Sequence, residues 1–331
     1  MKQVLLVAHH QRTEAAALAR SAASWLRHHG HVPWMTRDDA DALDLSDLAG
    51  EGDPRGVDLV LSLGGDGTML RAVQLLDGAP VPIIGVNVGL LGYLTEVEPH
   101  AMEPALQRFM AGPGLRSEDG DARRGAHQVI DPDLDRDGDW DGDWEVEQRM
   151  MVDITVRRST RATRHARDGV EGDGVEGDGA EGTSWRALNE GVLEKQEPGH
   201  TVRMMVRIDG APFTTYAADG LIVATPTGST AYSLSARGPV VSPRHRALLL
   251  TPVSPHMLFD RSLVLDPDET VEVEVVGHRP VVLSVDGQRA ASLSEGDTVI
   301  FRASASEAHF VRFGRRRFHQ ILKAKFGLSD R

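Results

Sequence analysis

The sequence predicts an α/β N-terminal domain with a parallel sheet, followed by a β-rich, sandwich-like C-terminal domain. Three observations predict it. Up to residue 116, short apolar runs alternate with amphipathic stretches of helical period, the pattern of a parallel sheet covered on both faces. From residue 185 onward the runs are short and separated by Gly, Pro and Asp, as in an all-β region. The chain has 331 residues, 40% of them apolar, which is enough for two cores of ordinary size.

Residues 4–8 (VLLVA) read as a buried strand. Thr13 is placed to cap the next helix, where Leu18, Ala22, Trp25 and Leu26 recur at helical spacing and Gly30 ends the pattern. Residues 57–63 (VDLVLSL) form a second buried strand that runs into GGDGT, followed by a helix over 68–76. A strand over 81–86 and a helix over 101–110 complete the α/β domain, 1–116. In the β-rich domain, 145–313, strands are expected at 150–156, 201–208, 221–225, 248–253, 271–276, 281–285 and 298–302. The end, 314–331, places Phe318, Ile321, Leu322 and Phe326 on one face of a short helix that packs back on the body.

Two segments break the pattern. Residues 117–144 include DPDLDRDGDWDGDW, and the loop 159–184 contains the repeat DGVEGDGVEGDGAEG. Neither has the apolar content to offset its ordering entropy, so disorder is expected, and no calcium-loop spacing is present. Of the net charge of −13, −10 falls between residues 117 and 184. The remaining body is nearly neutral, which argues against a nucleic-acid partner. There are no cysteines, so disulfides, thiolate metal sites and a cysteine nucleophile are excluded. No apolar run approaches the roughly 20 residues of a membrane helix, and the start lacks a secretory signal. A cytoplasmic protein is expected.

Three constellations carry chemistry. Gly64-Gly65-Asp66-Gly67-Thr68 lies between a strand and a helix, where glycines permit positive φ and helix-start amides face phosphate oxygens. Asp66 would repel that anion unless it faces a hydroxyl or a metal ion; the structural alternative is a tight turn with Asp66 as helix cap. A Walker loop is excluded because the chain has no Gly-Lys pair, and the dinucleotide fingerprint fails at Leu70. Asn189-Glu190 offers donors and acceptors for an adenine edge or a ribose diol, or is a strand-end turn. The segment DGLIVATPTGSTAYSLS, from Asp219 to Ser235, holds Thr225, Thr227, Ser229, Thr230 and Tyr232 within eight positions. These hydroxyls suggest a dense hydrogen-bonding surface, with Tyr232 able to stack on a base.

GGDGT after a strand, NVGLLGYL at 87–94, Asn189-Glu190, and DGLIVATPTGSTAYSLSA together resemble the NAD kinases. The resemblance spans nearly the whole chain apart from the acidic segments. GGDGT alone is shared with diacylglycerol and sphingosine kinases and, more distantly, phosphofructokinases; the TPTGSTAYSLS run is more specific. The resemblance implies an NAD kinase-like fold with a ligand cleft between its domains, and phosphorylation of the 2′-hydroxyl of the NAD adenosine ribose by ATP to give NADP. Asp66 would be the catalytic base, with Gly64, Gly65, Gly67 and Thr68 forming its loop and Arg71 meeting phosphate. Asn189 and Glu190 would hold the adenosine part, with His200 nearby. Asp219 and the residues Thr230, Ala231, Tyr232, Ser233, Leu234 and Ser235 would line the dinucleotide site, flanked by Tyr93 and Gln288. Mg²⁺ or another divalent cation is implied with the donor phosphates, as is a homodimer or homotetramer.

Departures from the family pattern are Arg237, where glycine is common, and the missing proline after Arg261. Ala217, small where ATP-specific members carry charge, leans towards polyphosphate as a second donor. Two rivals remain from the residues. A lipid kinase sharing GGDGT would need a basic or amphipathic membrane surface, for which the 315–317 arginine triplet is the one candidate. A non-catalytic NAD sensor would not need an intact Asp66.

Overall fold

The computed structural model describes residues 1–112, 144–159, 182–197, 199–314 and 318–328. Most of both acidic segments and the 315–317 arginines lie outside these residues. Two compact units emerge. One comprises 1–76, 81–147 and 309–331; the other comprises 77–80 and 148–308.

The first unit contains strands β1 (Gln3–Ala8), β2 (Val32–Thr36), β3 (Ala49–Gly50), β4 (Leu59–Gly64) and β5 (Pro82–Asn87), with helices α1 (Thr13–His28), α2 (Arg37–Ala42), α3 (Asp66–Leu76) and α4 (Met102–Ala111). The strands pair in the order β3-β2-β1-β4-β5, and every pairing is parallel. Beyond β5, His309 and Phe310 pair in parallel with Pro82 and Ile83. All of β4 is buried, as expected of a strand covered on both faces. Val4, Leu6, Ala8, Leu61 and Leu63 share one core with α1 and α4. Leu5, Val7 and Val60, equally buried, point the other way by strand alternation, and α3 packs on β1 and β4. Each such buried Leu or Val contributes about 1.5–3 kcal/mol of transfer free energy.

Helix α1 differs from expectation in two details. Its buried stripe is Ala15, Ala19, Ala22, Ala23 and Leu26, small residues that allow close approach to the sheet, while Leu18 and Trp25 are only partly buried. Thr13 is the first helical residue; the cap position is Arg12, whose side chain makes no capping bond.

The second unit is built from antiparallel sheets. Its strands are β6 (Glu145–Arg157), β7 (Ser184–Ala187), β8 (Glu190–Lys195), β9 (Val202–Ile208), β10 (Ala211–Ala218), β11 (Gly220–Ala224), β12 (Leu248–Val253), β13 (Leu263–Leu265), β14 (Val271–Val275), β15 (Val281–Val285), β16 (Gln288–Leu293) and β17 (Thr298–Arg312). One sheet runs β10-β9-β14-β17, with β6 pairing β17 and β7; the other runs β13-β12-β11-β8-β15-β16. Met204, Val206 and Tyr216 from the first meet Leu221, Val223, Leu250 and Leu283 from the second in one core. That makes a sandwich. The alternate residues Ile222, Ala224 and Leu249 bury the outer face of the second sheet under a separate cluster with Ala236 and Val241. The short helix α5 (Tyr232–Ser235) follows β11, and α6 (Phe318–Phe326) closes the described chain.

Candidate active site

The strand order of the first unit reverses between β1 and β4. In a doubly wound sheet, ligands bind at the carboxyl ends of the strands at that reversal. Gly64, the last residue of β4, opens GGDGT there, and helix α3 starts at Asp66. The Gly65 carbonyl accepts the N–H groups of Thr68 and Met69 at 3.0 and 3.2 Å, which fixes the start of the helix.

None of Gly64, Gly65 and Gly67 has a positive φ, contrary to the expectation from the sequence. Their small size serves other ends. A Cβ on Gly64 would strike the Thr68 side chain, whereas Gly65 and Gly67 face open space. Those two positions leave bare backbone for a ligand to approach.

The carboxylate of Asp66 does not cap its own helix. Its Oδ2 accepts the Tyr93 N–H at 2.8 Å and its Oδ1 accepts the Leu94 N–H at 2.9 Å. A side chain on Gly92 would collide with the same carboxylate, so NVGLLGYL is shaped around Asp66. One lone pair on each oxygen stays available to a hydroxyl donor. Tyr93 is flanked by Lys325 of α6, whose Nζ lies 4.1 Å from the ring centroid. Partial burial, then the Asp66 charge, raise the phenol's pKa.

Arg71, one turn into α3, donates to the Ala8 carbonyl at 2.6 Å and to Asp39 at 3.3 Å, and its other terminal nitrogen meets His10 Nε2 at 2.6 Å. His10 Nε2 is also 2.7 Å from Asp39. The Asp39–His10 pair holding Arg71 was not legible in the sequence, because His10 follows β1 while Asp39 lies in α2 and Arg71 in α3.

In the second unit, Asn189 and Glu190 form a turn entering β8. The following TPTGST loop is fastened to it: Thr225 N–H donates to the Asn189 carbonyl at 2.8 Å, and Thr225 Oγ1 to the Leu188 carbonyl at 2.6 Å. A Cβ on Gly228 would strike the Asn189 carbonyl. This corrects the reading of the hydroxyls as a surface. Thr225, Thr227, Ser229 and Ser233 are buried; Ser229 bonds the Pro226 and Val241 carbonyls, and Ser233 bonds Thr251. Thr230 and Tyr232 remain accessible, with Ala231, Leu234 and Ser235 around them.

Tyr232, 37% exposed, donates its hydroxyl to Glu194 at 3.0 Å. Burial, followed by Glu194 and Asp219, pushes its phenol up to about 12, so the ring stays neutral. Asp219 pairs with Lys195 at 2.7 Å. His200 is exposed and shares a shallow depression with Lys195 and Arg279. Gln288 is exposed at the start of β16, after the Asp286–Gly287 turn.

Glu190 is buried, and its Oε2 has no hydrogen-bond partner among the described residues. Burial, then the charge of Asp286, raise its pKa from 4.5 to about 8, against a lowering bond from the Tyr232 N–H. At neutral pH it is a carboxylic acid with unused polar capacity, which a ligand hydroxyl would fill.

Residues 4–113 match the family described as the ATP-NAD kinase N-terminal domain, and residues 188–313 match the ATP-NAD kinase C-terminal domain. These are phosphotransferases. An NAD kinase of Heliobacterium modesticaldum is 36% identical over 98% of this chain and 98% of its own length. NAD kinase 2 of Streptomyces coelicolor is 34% identical over 99% of this chain and 95% of its own. Among solved structures, yeast NADH kinase complexed with NADH aligns with a TM-score of 0.76 at 21% identity, covering 100% of this chain and 89% of that one. An Archaeoglobus fulgidus NAD kinase in complex with ATP aligns at 0.63 and 21%, covering 99% of both chains. The chain belongs to the NAD kinase family.

Proposed function

We propose that this chain transfers the terminal phosphoryl group of ATP to the 2′-hydroxyl of the adenosine ribose of NAD, giving NADP. The observation that carries the reading is Asp66: one carboxylate, in a glycine loop at the switch point, oriented by two backbone amides with a lone pair free on each oxygen. Asp66 accepts the hydroxyl proton as the new oxygen–phosphorus bond forms and the bond to the ADP leaving group breaks. General-base help of this kind is worth about 10²–10⁴-fold. The transition state is loose, so alignment and charge neutralisation supply the rest. Arg71 neutralises phosphate, Asn189 and Glu190 hold the adenosine part with Asp219 and Gln288 contacting the dinucleotide, and Tyr232 offers its neutral ring for stacking.

Among the described residues no three His, Asp or Glu side chains converge on a metal position. That donor set fits Mg²⁺ arriving as the triphosphate complex, which needs only one or two carboxylates besides phosphate, rather than a resident cage. Mg²⁺ then supplies charge neutralisation on the donor phosphates.

A cytoplasmic location belongs to this proposal; separately, no described helix is long and apolar enough to cross a membrane. Family membership supports a homodimer or homotetramer, and the exposed Phe213, Leu258 and Phe259 offer apolar surface for it; sedimentation at a single-chain mass would contradict it. Ala217, in β10, supports inorganic polyphosphate as a second donor.

The test is direct. Purified protein with ATP, Mg²⁺ and NAD forms NADP, detected by a strictly NADP-dependent dehydrogenase, while diacylglycerol and sphingosine in place of NAD give no product. Binding of NAD without product would assign a sensor instead.

A further inference from the structure

Asp286 stands outside every role assigned above. It occupies the two-residue turn between β15 and β16, with φ of 46° at Asp286 and 79° at Gly287. This left-handed pair suits a hairpin of Asp-Gly sequence. The turn directs the half-buried carboxylate at the chain entering β8. Its Oδ2 accepts the Leu188 N–H at 2.8 Å, and its Oδ1 accepts the N–H groups of Asn189 at 2.8 Å and Glu190 at 3.1 Å. The Asp286 N–H donates back to the Glu190 carbonyl at 3.0 Å. Three successive amides thus converge on one anion. From the other side, Thr225 takes the carbonyls of Leu188 and Asn189. The turn is held through both its donors and its acceptors.

We propose that Asp286 is a positioning residue for the dinucleotide: it fixes the 188–190 turn, and through it the side chains of Asn189 and Glu190, in the orientation that receives NAD. The inference rests on the reading that these two side chains contact the dinucleotide. A turn with a purely structural role gains nothing from a second carboxyl group beside a buried one. Here Glu190 is buried, Asp286 is half-buried, and the two are close enough for the Asp286 charge to act on the Glu190 carboxyl. That arrangement is sensible where the backbone must hold an acidic side chain at a ligand.

The test is Asp286→Asn, measured as KM for NAD, KM for ATP, kcat and Tm, with Asn189→Ala in parallel. Asparagine keeps one acceptor oxygen but turns an amide N–H₂ towards at least one of the three donors. The expected result is KM for NAD raised about tenfold or more, KM for ATP within about twofold, and kcat reduced less than KM for NAD rises. If Asn189→Ala raises KM for NAD and Asp286→Asn leaves it unchanged, or moves both KM values together, the positioning role is overturned. If Asn189→Ala itself leaves KM for NAD unchanged, the assignment of the 189–190 turn to NAD fails first. Should Asp286→Asn not fold, Gly287→Ala decides. It keeps the carboxylate, its Cβ meets nothing within 4 Å, and only the φ of 79° is strained. A rise in KM for NAD alone supports the role; an unchanged value overturns it.

Discussion

Two carboxyl groups in this chain sit in opposite surroundings. Asp66 is half-exposed, and its two oxygens accept the N–H groups of Tyr93 and Leu94. Glu190 is buried with an unpartnered oxygen, and burial holds it protonated at neutral pH. The consequence for stability has a definite sign. A carboxyl whose folded pKa lies at about 8, above its unfolded value of 4.5, binds a proton in the folded state that the unfolded state has lost. Its contribution is complete below pH 4.5 and disappears as pH rises through 8. Wild-type Tm should therefore fall relative to that of Glu190→Gln across this window. A difference that stays constant with pH would contradict the raised pKa. The groups acting on Glu190 are the Asp286 carboxylate and the Tyr232 N–H. GGDGT and the 189–190 pair stood out in the sequence as candidates because their residue types are unusual beside a strand. Asp286 did not: VDGQ announces a turn, but nothing local says that its carboxylate reaches amides some 97 residues earlier.

At the scale of elements, the end of α5 explains a departure seen in the sequence. Gly238 N–H donates to the Ser233 carbonyl at 2.8 Å, and Arg237 N–H to the Leu234 carbonyl at 3.0 Å. This is the paired-bond helix ending that places its first residue beyond the cap in the left-handed region. That residue is Arg237, with φ of 65°. Glycine, common here in the family, is unstrained at that angle, whereas a side chain costs roughly 1–2 kcal/mol. Part of this is offset by glycine's greater unfolded-state freedom. Arg237→Gly should stabilise the protein by about 0.5–1 kcal/mol, raising Tm by roughly 2 °C. A lower Tm would show that the Arg237 side chain makes a compensating contact. Long apolar runs made β1, β4, β5 and β12 easy to read. β2 and β10 were missed because Pro33 and Pro212 interrupt short runs, and pairing with neighbouring strands overrides that local signal.

For the whole molecule, the alternation of strands and helices announced a parallel sheet, and the turn-rich second half announced a sandwich. The order β3-β2-β1-β4-β5 was beyond the reach of local pattern, since pairing is settled by contacts distant in sequence. Yet that order puts GGDGT at the reversal point, the position at which doubly wound sheets bind their ligands. The hydroxyl-rich loop shows the opposite case: its composition suggested a ligand surface, and most of its hydroxyls instead tie the loop to the 188–190 turn and to its own carbonyls.

The central claim concerns proton transfer to Asp66, and Asp66→Asn tests it most directly. Asparagine preserves size but cannot accept the ribose proton. NADP formation should fall by about 10²–10⁴-fold or more, while calorimetry with NAD alone gives a Kd within a few-fold of wild type. An Asp66→Asn enzyme that turned over at the wild-type rate would contradict the account.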